Sequence, residues 1–143
     1  MMKTLIFMLL TGLLMTCNKQ EITTTCNANT DYTKEANQAR KWIVGDWKLV
    51  RVTTMMPNPT VDNVVLKFSD TGQVSISKDD KLTATNTYQI ADVQGNLVLK
   101  TDAEPTGENW YVRNPMVRIC SSELFLDGGI AYDGPGYTFQ RIR

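Results

Sequence analysis

The 143 residues contain no histidine, and that one absence removes much of the familiar chemistry. No Ser-His-Asp or Cys-His arrangement can be built, no zinc site of the His-Glu-x-x-His kind, and no imidazole general base near neutral pH. Ser75 and Lys78 have the Ser-x-x-Lys spacing of acylating serine enzymes. In those enzymes the pair shares one face of a helical turn, whereas in a strand positions i and i+3 point to opposite faces. The accompanying Lys-Thr-Gly string is missing too, because Lys100-Thr101 runs on into Asp102. Asp79-Asp80 and the group Asp102, Glu104 and Glu108 lack the alternating oxygen ligands around a tight glycine turn that calcium needs. They read as solvated loop charge. A carboxylate pair brought together from distant positions stays open as a hydrolase reading. The sequence otherwise reads as a non-enzyme, with no catalytic residue, metal or cofactor assigned.

The other suggestive side chains are apolar. Met55-Met56-Pro57-Asn58-Pro59 puts two adjacent methionines in a turn-rich stretch, a flexible and polarisable surface suited to an apolar ligand or a partner patch. Tyr88, Trp110 and Tyr111 are candidate aromatic walls beside it. The competing reading is that these side chains fill the core or contact one another. Charge adds an exclusion: 15 Lys+Arg against 15 Asp+Glu leaves no basic stripe for nucleic acid.

These residues need elements to hold them. Thr30 or Asp31 can cap a short helix to about Val44, with Tyr32, Ala36, Ala39 and Ile43 on one stripe and Gly45 as its stop. Arg40 and Lys41 near its end suit the helix dipole. From Asp46 the helical period ends and short runs follow, separated by Asp70-Thr71-Gly72, Asp79-Asp80, Gln94-Gly95-Asn96, Asp127-Gly128-Gly129 and Asp133-Gly134-Pro135-Gly136. Pro115 breaks one run and predicts a bulge or edge there. About eight strands with short connections predict an all-β, eight-stranded antiparallel up-and-down barrel after one short helix, as a single domain over 31–143.

The N-terminus reads as an address. Lys3 precedes an apolar run of about a dozen residues, too short to span a bilayer as a helix. Leu14-Met15-Thr16-Cys17 resembles a bacterial lipoprotein lipobox. That resemblance implies cleavage after residue 16, a diacylated Cys17 and a membrane attachment through lipid. The competing reading is an uncleaved apolar anchor. Residues 17–30 then form a polar tether, and Lys19 with Glu21 resembles the surface-export signal of Bacteroidetes-type lipoproteins. With Cys17 lipidated, Cys26 and Cys120 are left as a possible disulfide in an extracytoplasmic setting; two separate thiols are the alternative.

Trp42-Ile43-Val44-Gly45-Asp46-Trp47 resembles the first-strand signature of lipocalin-like proteins, and Tyr137-Thr138-Phe139-Gln140-Arg141 is similar to the last strand of bacterial lipocalin-like domains. The resemblance implies that Gly45, Trp47 and Arg141 are structural, with the tryptophan closing one barrel end and the arginine lying across its ring. Together these readings predict an outer-membrane lipoprotein, on the periplasmic face or the cell surface. Its expected function is binding a small apolar or amphipathic ligand in the barrel mouth. The alternative is a protein-interaction module, like the envelope barrels that inhibit lysozymes or proteases.

Overall fold

Apolar residues at every second position beyond Gly45 give each strand one wet and one dry face. In the computed structural model, which describes residues 26–27, 31–104 and 112–142, these strands close into a barrel. They are β1 (Gly45–Thr53), β2 (Val64–Phe68), β3 (Gln73–Lys78), β4 (Lys81–Val93), β5 (Asn96–Thr101), β6 (Met116–Ile119), β7 (Glu123–Asp127) and β8 (Gly136–Arg141). Each pairs antiparallel with the next, and β8 returns to β1 with Trp47 opposite Arg141. The predicted all-β, eight-stranded antiparallel barrel with one short helix is what the fold shows.

The helix α1 (Ala36–Ile43) is shorter than the sequence predicts. Its expected first turn is drawn out of the helix by other partners. The Thr33 N–H donates to the Ile119 carbonyl at 3.0 Å, and the Tyr32 hydroxyl donates to Glu123. Both bonds tie this segment to the β6–β7 corner, so coiling begins only at Ala36. Ala39 and Ile43 then bury the inner stripe of α1.

The alternating residues meet inside. Trp47, Leu66, Phe68, Ile76, Leu99, Ile119, Leu124, Leu126, Tyr137 and Phe139 are all buried, and each such side chain contributes about 1.5–3 kcal/mol on leaving water. One wall is thinner. The first part of β4 pairs with β3, while β5 covers only Tyr88 to Val93. The inward row Ala84, Asn86, Tyr88 is accordingly half-buried. Pro115 does not open the barrel: its carbonyl accepts the Leu99 N–H at 3.0 Å, and the β5–β6 seam closes on the single pair Val98–Met116.

Candidate functional site

The up-and-down order sends alternate connections to opposite ends, so the two ends can be built separately. Trp47 lies near the start of β1 and is fully buried. Its indole N–H donates to the Ile43 carbonyl at 2.7 Å. The Arg141 guanidinium lies 4.3 Å from the centre of the Trp47 ring, a cation–π contact. The same guanidinium donates to the carbonyls of Val44 at 2.9 Å, Ser121 at 2.6 Å and Trp42. Carbonyls at the end of α1 that no helical N–H can reach thus find donors on Arg141 and Trp47. Burial draws the Arg141 pKa below its ordinary value. Gly45, at φ 136°, joins helix to strand in a conformation that side chains avoid.

The N-terminal segment is fastened at this end as well. Cys26 and Cys120 pair with Cα atoms 6.5 Å apart and a sequence separation of 94. Cys120 follows β6, and its Sγ accepts the Glu123 N–H at 3.3 Å. Beside it, burial first, then the hydrogen bond to Glu123 and the Glu123 charge, push the Tyr32 hydroxyl well above the usual tyrosine range.

The opposite end carries the β1–β2, β3–β4, β5–β6 and β7–β8 connections. Met55 and Met56 stand there 78% and 71% exposed. They are surface residues, and the core-filling reading does not hold for them. Asp127 shapes the neighbouring connection: its Oδ1 accepts the N–H groups of Gly129 and Ile130, each at 2.8 Å. That bond pair sets a one-turn 3-10 helix over Ile130–Tyr132, which leaves Tyr132 91% exposed. Gly134 is required for the close return, since a Cβ there would lie 2.5 Å from the Gly128 carbonyl oxygen. Leu82 and Ile130 are also exposed at this rim. Over described residues 54–63, 78–81, 102–104, 112–115 and 127–135, seven carboxylates accompany three cations. Asp62 and Lys78 pair at 3.2 Å.

The aromatic wall expected beside the methionines is not assembled as read. Tyr88 sits at the other end, its hydroxyl donating to the Ser69 carbonyl at 2.7 Å and its ring meeting Phe68 edge-on at 4.9 Å. A position on β4 fixes whether a residue faces inward, but the length of β4 carries Tyr88 past the mouth. Trp110, Tyr111 and Cys17 lie outside the described residues. Tyr132, Leu82 and Ile130 escaped the sequence reading. Their signal was apolar residues placed just after turn residues, as in Gly128-Gly129-Ile130-Ala131-Tyr132. Among the described residues no group of three or more carboxylates and cysteines could hold a metal ion, and no helix is long and apolar enough to cross a membrane. Comparison of the chain with protein-family models, with curated proteins and with solved structures finds no match.

Proposed function

We propose that this chain is an envelope lipoprotein, lipidated at Cys17 after loss of residues 1–16, whose lipocalin-like barrel is a protein-interaction module. One observation carries the choice over the small-ligand expectation. The inward side chains Leu66, Ile76, Leu99, Leu124 and Phe139 are buried in one apolar core, while Met55, Met56 and Tyr132 stand in solvent at the end away from Cys26. Exposed apolar residues on an end that also carries an excess of carboxylates suit a partner that offers apolar anchors within a basic surface. Flexible methionines adapt to such anchors, and an exposed tyrosine supplies rigid contact area.

A photocrosslinking residue at Tyr132, with one at Val93 as the far-end control, tests this in intact cells. A basic partner captured from position 132, absent from position 93 and lost in the Met55→Ser/Met56→Ser variant, supports the reading. Equal capture from both positions, or capture indifferent to the methionines, overturns it.

A small ligand in the barrel mouth is the second reading. Asn86 Oδ1 favours it: this atom is buried on the thin wall and has no hydrogen-bond partner among the described residues, a state that costs free energy unless a donor fills it. A native mass spectrum showing an adduct lost on organic extraction would place this reading first.

A further inference from the structure

At the closed end, between the last turn of α1 and the β2–β3 connection, lies a cavity of about 550 Å³, within the size range of small-molecule sites. Val44, Ile90 and Tyr88 give it an apolar and aromatic lining. The lining is fixed, because the Tyr88 hydroxyl and ring are both held by the β2 end and its turn. Arg40 borders the cavity, but its guanidinium is committed: Nε and Nη2 donate to the Ile90 carbonyl at 3.2 and 3.0 Å, and Nη1 donates to Asn37 at 2.9 Å.

Two lining charges are not committed. Lys41 of α1 and Asp70 of the β2–β3 turn are exposed. Among the described residues neither has a hydrogen-bond or ion-pair partner, and they make no ion pair with each other. The helix end does not neutralise Lys41 either, since the carbonyls of Trp42, Ile43 and Val44 already receive donors from Arg141 and Trp47. Opposite charges therefore flank a fixed apolar lining without cancelling.

We propose that this cavity binds a small zwitterion carrying an apolar group, of the amino-acid class, with its carboxylate toward Lys41, its ammonium toward Asp70 and its apolar group against Tyr88, Val44 and Ile90. Each charge contact selects for one end of the ligand, because a charged group facing it tightens binding and a neutral one does not. This site is separate from the rim at the other end of the barrel and stands or falls independently of the reading given for that rim.

The test is calorimetric titration of the full-length protein in detergent micelles with L-phenylalanine, L-phenylalaninamide and N-acetyl-L-phenylalanine. Saturable binding of phenylalanine is expected, with each singly charged analogue weaker by about tenfold or more. The variants should act crosswise. Lys41→Gln should lose the preference over the amide, and Asp70→Asn the preference over the N-acetyl compound. Both positions are exposed and unpaired, so the melting curves of the variants should overlay the parent's and keep any loss attributable to binding. No saturable heat from phenylalanine at about 10 mM, well above a millimolar Kd, overturns the proposal. So does discrimination that survives in both variants.

Discussion

Arg141 concentrates several jobs in one side chain. Its flat fork reaches three backbone carbonyls while its face covers an indole, a combination a lysine ammonium cannot reproduce. Arg141→Lys should therefore lower stability by about 1–2 kcal/mol in urea denaturation, the cost of leaving the part-buried carbonyls of Trp42 and Val44 short of donors. Tyr32 gives a second, pH-linked expectation. Its folded-state pKa is raised, so above about pH 10 the unfolded chain releases the proton while the native protein keeps it. Stability from this group is complete below the unfolded pKa and declines as pH climbs toward the folded value. Tyr32→Phe should flatten the fall in melting temperature measured between pH 9 and 11. Gly45, Trp47 and Arg141 were singled out in the sequence by their resemblance to the first and last strands of lipocalin-like proteins. The carbonyls that Arg141 satisfies did not, since they depend on where α1 stops.

Among the elements, the short N-terminal segment and the β5–β6 seam behave as opposites. The first is locked by the Cys26–Cys120 bond across 94 residues. In the chain-entropy account a closed loop of that length restricts the unfolded chain by on the order of 4 kcal/mol. Cys26→Ser/Cys120→Ser should lose up to that amount, read as a lower melting temperature of the variant against the oxidised parent. The seam is held by one registered pair, against five between β2 and β3. Hydrogen exchange should show the amides of Leu99 and Met116 opening well before those of Leu66 and Ile76. The sequence made the barrel legible because strand-length apolar runs and turn residues recur with little interruption. It misplaced the start of α1 because the non-helical course of residues 31–35 is tied to Ile119 and Glu123, which are distant in sequence.

At the scale of the molecule, the two ends differ in chemistry. One gathers the tryptophan plug, the disulfide and the Lys41–Asp70 cavity; the other gathers exposed methionine, tyrosine and leucine among carboxylates. Met55→Ser/Met56→Ser removes nothing from the core, so its stability should stay within about 0.5 kcal/mol of the parent in urea denaturation. A partner bound through this rim should dissociate more readily as salt rises, since charge attraction is screened within about 8–10 Å at physiological ionic strength. The division between ends was legible in outline, because strand order alone decides which loops share an end. Which side chains gather there was not. Tyr88 shows why: alternation sets its face, but only the observed register sets its height.

The disulfide also acts as a length standard. With a lipid on Cys17, only nine peptide steps would separate the anchored residue from the locked Cys26. A chain of that length reaches no farther than about 30 Å even when straight. On the proposed lipidation, the bond would cap how far the barrel strays from the bilayer and so define a thin layer within which the rim could search. Reduction would release more of the N-terminal chain and deepen that layer, making the oxidation state of one bond a setting for reach.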